Sequence, residues 1–181
     1  MTKGVKIGIT GLPEAGKTHA LQRVIEMLEA DEVVVGGMIT ESIIENKEKA
    51  GFKIIDWMSK ESGTLAHKNL DTNVHAGDYQ VDLEVLENIG VAAINRASEE
   101  AEVIIIDEVG KMEVESSNFV QSVKDALDTD KPLILTLHKK SRNPLLQDIR
   151  RRDDVRILEV TPINRNLLPY KIIRLLKGEM L

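Results

Sequence analysis

Short runs of Val, Ile and Leu alternate along the chain with longer stretches in which apolar residues recur every three or four positions, the pattern of buried strands joined by crossover helices. The apolar runs at residues 5–10, 33–39, 103–107, 133–137 and 155–160 predict five strands. Their continuous character predicts burial on both faces, as in a mostly parallel sheet. After the first run, Leu21, Val24, Ile25 and Leu28 share one helical face, and that helix is expected to end near Ala30. Asp82 stands where an N-cap would open a second helix, with Leu83, Leu86, Ala93, Ile94 and Ala97 inward. A third helix is expected from about Ser117, with Phe119, Val120, Val123 and Leu127 inward. Asn143-Pro144 reads as a helix start, and a last helix carries Leu168, Ile172, Leu175 and Leu176. Residues 51–58 read as extended, so residues 40–78 are expected to form a small β insertion. No repeat or low-complexity linker interrupts the pattern, and a length of 181 residues favours one α/β domain spanning 1–181.

Composition narrows the function classes. Apolar residues make up 42% of the chain and charged residues 30%, a globular balance, and the chain has no apolar run long enough for a bilayer. The opening Met1-Thr2-Lys3-Gly4 leads into a strand without the apolar core of a signal peptide, so a cytoplasmic location is expected. Cysteine is absent, which excludes disulfides, thiolate metal sites and cysteine nucleophiles. A net charge of -6 argues against general affinity for nucleic acid or anionic lipid. Nothing in the pattern fixes an oligomeric state.

The strongest chemical signal is Gly11-Leu12-Pro13-Glu14-Ala15-Gly16-Lys17-Thr18, which satisfies G-x-x-x-x-G-K-[ST] between a predicted strand and a predicted helix. Such a loop turns its backbone N–H groups toward phosphates at the positive end of the helix. Lys17 would add a point charge at the β/γ oxygens, and Thr18 would ligate magnesium. His19 follows directly and is counted with this nucleotide-binding segment, although His19, His67 and His75 show no metal-ligand spacing. Glu14 stands where glycine is usual; if the position needs φ > 0, a side chain there costs on the order of 1 kcal/mol.

The second signal is Val103-Ile104-Ile105-Ile106-Asp107-Glu108, a buried strand delivering two carboxylates at its C-terminal end, which resembles a Walker B strand. Asp107 is the expected magnesium ligand and Glu108 the group that orients or deprotonates the attacking water. An acid directly after the Walker B aspartate implies another strand between the P-loop strand and the Walker B strand, hence the order 5-1-4-3-2. The fourth strand would then end beside the γ-phosphate, making Thr136 and His138 candidates for sensing it, with His138 the better donor. Beyond it lie Lys139, Lys140, Arg142, Arg150, Arg151 and Arg152, from which an arginine finger could come; a chain lacking one hydrolyses slowly.

With these residues in view, the chain resembles the small P-loop nucleoside-triphosphatase family first described in thermophiles, which includes a human cancer-related nucleoside-triphosphatase. The likeness rests on the P-loop, Gly36-Gly37-Met38-Ile39-Thr40-Glu41, Gly51-Phe52, Ala76-Gly77-Asp78-Tyr79-Gln80-Val81-Asp82-Leu83, the extended Asp107-Glu108-Val109-Gly110-Lys111-Met112-Glu113, and Asn164-Arg165-Asn166-Leu167-Leu168. The resemblance implies a RecA-like sheet and slow, Mg²⁺-dependent hydrolysis of several nucleoside triphosphates, ATP, GTP, CTP and UTP. It also draws Lys111, Glu113, Asn164 and Arg165 toward the nucleotide, with Asn164 expected at the base or ribose; helix capping is the alternative for Asn164. Glu14 departs from the family's glycine. A nucleotide-dependent kinase and a non-catalytic nucleotide-binding adaptor are the rival readings. No N-K-x-D sequence is present to read guanine.

Overall fold

The computed structural model describes residues 4–179, so the reading of Met1, Thr2 and Lys3 lies outside the described residues. The chain forms β1 (Lys6–Gly11), α1 (Lys17–Ala30), β2 (Val35–Glu45), β3 (Glu48–Asp56), β4 (Ser62–His67), β5 (Val74–Ala76) and β6 (Tyr79–Val81). A helical stretch follows: α2 (Leu83–Val85), a π-helical turn (Leu86–Val91) and α3 (Ala92–Glu100). The remainder is β7 (Val103–Val109), a 3₁₀ turn (Glu113–Glu115), α4 (Ser117–Leu127), β8 (Leu133–His138), α5 (Pro144–Arg151), β9 (Val155–Glu159) and α6 (Leu168–Leu176).

The caps follow from side-chain chemistry. Asp82 accepts from the Val85 N–H at 3.1 Å, Ser116 Oγ from the Phe119 N–H at 3.1 Å, and Asn143 Oδ1 from the Leu145 N–H at 2.9 Å. Each satisfies a helix-terminal donor that has no partner within its own helix.

All nine strands join one sheet in the order β5-β6-β4-β3-β2-β7-β8-β1-β9. The parallel part runs β2-β7-β8-β1-β9, and the remaining pairings are antiparallel. The order of the whole sheet differs from the five-strand order expected from the sequence, because β2 is not an edge. Residues 40–78, expected to form a small β insertion, hold the end of β2 with β3, β4 and β5, and these strands extend the same sheet. β2 runs unbroken from Val35 through Thr40 to Glu45 and turns into β3, with Thr40 opposite Ile54 and Ser42 opposite Phe52.

Alternation along the parallel strands sends residues to two cores. Ile104, Ile106, Leu133, Leu135 and Leu137 pack under α3, α4 and α5, whereas Val103, Ile105, Ile7 and Ile9 pack under α1 and α6. The α1 core includes Leu21, Val24, Ile25 and Leu28, the face read from the sequence. Gly37, at φ 125°, has backbone so close to β7 that an ideal Cβ would lie 1.9 Å from the Ile105 carbonyl oxygen, so only glycine fits.

Phe119 is fully buried between α4 and the sheet. Phe119→Ala is expected to lose about 3–5 kcal/mol of stability, measured by urea unfolding, whereas Ile44→Ala on the exposed end of β2 should stay within about 0.5 kcal/mol of wild type.

Candidate active site

Residues 11–18 turn over the C-terminal end of β1 into the first turn of α1. Gly16 holds φ 107° at the helix start, and no side chain caps α1, so its first backbone N–H groups remain available to a ligand. Glu14 sits at φ 69°, a left-handed conformation costing a residue with a side chain roughly 1–2 kcal/mol. Its carboxylate is 85% exposed and lies 3.5 Å from Lys49 Nζ of β3, an ion pair from the loop to the neighbouring hairpin.

The acids come from a bulge. β7 pairs with β8 through a register shift between Ile106 and Val109, and Asp107 and Glu108 occupy it. Such an extra residue bends a strand and re-aims side chains, so two consecutive acids both reach the site. Asp107 is 1% exposed. Thr136 Oγ1 donates to its Oδ1 at 2.7 Å, and Thr18 Oγ1 to its Oδ2 at 3.2 Å. Burial pushes the Asp107 carboxyl up to about 6 and the Glu108 charge adds to this, while the two hydroxyls and Lys17 oppose it.

Glu108 Oε2 lies 3.1 Å from Lys17 Nζ, which also reaches the Leu137 carbonyl at 3.5 Å. Glu113, in the 3₁₀ turn, is buried, and its Oε2 has no hydrogen-bond partner among the described residues. Burial, with the Glu108 charge behind it, raises the Glu113 carboxyl well above the usual range. His138, half-buried at the end of β8, is held below the ordinary imidazole range by burial, although the Glu108 charge pulls the other way.

Lys17, Thr18, Asp107, Glu108 and His138 line a cleft of about 490 Å³, and Glu113 lies outside its wall. Of the residues singled out in the sequence, Leu12, Pro13, Glu14, Gly16, Lys17, Thr18, His19, Asp107, Glu108 and His138 lie on its wall. Gly11 and Ala15 stand behind it: Ala15 packs in the α1 core, and a Cβ on Gly11 would lie 2.8 Å from the Val160 carbonyl oxygen. Thr136 is beneath Asp107 rather than at the surface of the cleft.

Asn164 is not brought into the cleft. Its Oδ1 accepts from the Thr161 N–H at 2.8 Å and its Nδ2 donates to the Glu159 carbonyl at 2.8 Å, so the amide is committed to closing the loop after β9. Arg165, its neighbour, instead lies against the 11–18 loop, with its Cδ 3.5 Å from where a Gly16 Cβ would be. The basic segment is largely structural. Arg150 donates to the carbonyls of His138, Lys139 and Ser141, and Arg152 pairs with Asp128 and Asp154.

Sequence reasoning missed the far wall of the cleft, formed by Thr40, Glu41 and Ser42 of β2 with Lys49 and Phe52 of β3. Its signal was the cross-strand register, which a polar run gives no means of reading. Gln22, also on the wall, lies one helical turn beyond Thr18 and was reachable by spacing.

The fold and cleft define an α/β protein whose site lies where the C-terminal ends of its parallel strands meet the first turn of α1. Residues 6–173 match the family model described as NTPase, and the chain belongs to that family. It is 39% identical over 175 residues to nucleoside-triphosphatase THEP1 of Picrophilus torridus, covering 97% of each chain. To the protein of the same name from Thermotoga maritima it is 40% identical, covering 96% of each. Among solved structures, THEP1 from Aquifex aeolicus superposes with a TM-score of 0.84 at 31% identity, covering 95% of this chain and 99% of that one. A human cancer-related nucleoside triphosphatase superposes at 0.82 and 30% identity, covering 97% and 99%.

The raised Asp107 carboxyl predicts a pH-dependent gain from its removal. Because the folded value lies above the unfolded one, this group favours folding at low pH and that contribution is lost as pH rises from the ordinary value of 3.8 through about 6. Asp107→Asn is therefore expected to be more stable than wild type at pH 8, by up to about 3 kcal/mol, with the difference shrinking toward pH 4 in thermal melts without nucleotide.

Proposed function

We propose that this chain is a magnesium-dependent nucleoside triphosphatase that releases the γ-phosphate of ATP, GTP, CTP and UTP slowly and with little regard for the base. The observation that carries this reading is the 3.1 Å pairing of Lys17 with Glu108 at the mouth of the 11–18 loop. Residues 11–18 act as a P-loop in a RecA-like domain spanning the whole chain: the backbone N–H groups and the start of α1 hold the phosphates, and Lys17 meets the β/γ oxygens. With a phosphate taking over the ammonium, Glu108 is free to accept the proton of the water that attacks phosphorus. His138, half-buried and held below the ordinary imidazole range, lines the cleft with Glu108 as a hydrogen-bond partner for the γ-phosphate.

Thr18 and Asp107 fit the metal. A hydroxyl and a carboxylate within hydrogen-bond distance of each other are hard oxygen donors, and a divalent cation would favour the charged form of a carboxylate that burial otherwise disfavours. Magnesium, when bound, neutralises charge developing on the β- and γ-phosphate oxygens.

Base and rate follow from the other side of the 11–18 loop, beyond the cleft wall. With the γ-phosphate at Glu108 on the β7 side, the nucleoside projects toward β9 and its following loop, on the opposite side of β1. There the Asn164 amide is spent on the backbone, and Arg165 offers a planar guanidinium on which any base can stack. Arg150 and Arg152 are held by other partners, which leaves neither as an arginine finger and fits slow turnover. No helix among the described residues is long and apolar enough to cross a membrane, and cytoplasmic nucleotides are the substrates this reading calls for.

Phosphate release from the four nucleotides tests the reading. Lys17→Ala should lose nucleotide binding; Glu108→Gln should bind but turn over about 10²–10⁴-fold more slowly; chelation of magnesium should stop release. A wild-type chain that binds nucleotide yet releases no more phosphate than Glu108→Gln would sink it. Separately, Arg165→Ala should raise KM for all four nucleotides alike, by about tenfold, and leave their ranking unchanged.

A further inference from the structure

The cleft does not end at the γ-phosphate position. In the placement proposed above the triphosphate runs from Glu108 toward β9, whereas the cleft itself extends the other way, past β7, to the wall made by β2 and β3. We propose that this wall is an acceptor subsite for a nucleoside, and that the protein transfers the γ-phosphoryl group to a nucleoside hydroxyl as well as to water. The inference rests on placing the γ-phosphate between Lys17 and Glu108.

Each residue of the wall supplies one part of nucleoside recognition. The Phe52 ring is braced by Tyr79, edge to face at 5.2 Å and 67°, and offers an aromatic surface to a base. Ser42 stands opposite Phe52 across the β2–β3 ladder and adds a hydroxyl. Glu41, a carboxylate on the same wall, is the group type that accepts hydrogen bonds from ribose hydroxyls. Lys49 lies between this wall and the loop, its Nζ 3.5 Å from Glu14 and 5.4 Å from the Phe52 ring centroid. A phosphoryl group leaving the loop for the acceptor meets that ammonium on its way.

The chemistry needs no further reactant. The acceptor oxygen forms a bond to the γ-phosphorus, and its proton passes to the Glu108 carboxylate. The bond from phosphorus to the β–γ bridging oxygen breaks, and its electron pair leaves with the diphosphate. The products are a nucleoside monophosphate and a nucleoside diphosphate, and Glu108 returns its proton to solvent. Water in place of the acceptor gives the hydrolysis already described.

The test uses the full chain with magnesium and ATP labelled in its γ-phosphate, alone and with adenosine, guanosine, cytidine or uridine. Labelled nucleoside monophosphate should form with at least one nucleoside, at the expense of labelled inorganic phosphate. Phe52→Ala and Glu41→Gln should each lower the ratio of transfer to phosphate release about tenfold. Phosphate release with no labelled monophosphate from any of the four overturns the acceptor site and leaves hydrolysis standing. Variants that depress transfer and release equally also overturn it, because the wall would then serve the triphosphate. If neither product forms, the placement at Glu108 fails, and the acceptor site fails with it.

Discussion

One carboxylate must be kept inside an apolar sheet, and the rest of the site is arranged around that constraint. Burying a charge without partners is prohibitive, so the Asp107 oxygens are met by hydroxyls from two other elements, Thr136 of β8 and Thr18 of α1. This makes the carboxylate a tie between helix and sheet. The strand order is what permits it: β8 lies between β1 and β7, so Thr136 stands under Asp107 while the 11–18 loop passes over it. A sheet with β1 beside β7 would leave the acid with the helix alone.

The neighbouring acids show how environment divides one chemistry into several. Asp107 is buried and hydroxyl-bonded, Glu108 is paired with Lys17, and Glu113 is buried with its carboxyl raised well above the usual range, all within a seven-residue stretch of chain. The β7 bulge separates the first two, and the 3₁₀ turn swings the third underneath. Glu14 is a different case. Its left-handed backbone would suit glycine, and its charge opposes phosphate, but Lys49 faces it from β3. The pair is exposed and contributes little stability, so its importance is to the charge at the mouth of the cleft.

Much of this was legible in the sequence wherever local rules dominate. The loop from Gly11 to Thr18 and the Asp107–Glu108 strand end follow short-range patterns, as do the Asp82 and Ser117 helix starts. What escaped depended on pairing at a distance. Beyond Ile39 the chain becomes largely polar, because β2 there leaves the two-sided core and pairs antiparallel with β3, so the sequence showed a β insertion but not that the same strand runs on into it. The π-helical turn at Leu86–Val91 left the apolar spacing nearly helical and was invisible for that reason. Asn164 was drawn to the nucleotide by family wording, but its amide geometry closes the loop after β9.

The sheet's wiring also bears on how the chain acquires its shape. β1 opens the described chain, yet its neighbours are β8 and β9, more than a hundred residues later. During synthesis the first strand and the 11–18 loop therefore wait, while the β2–β3–β4 hairpins, whose partners are close in sequence, are free to pair early. The centre of the sheet closes last, and the cleft at its edge with it. A truncated or stalled chain thus has its hairpins but not the cleft between the 11–18 loop and Asp107.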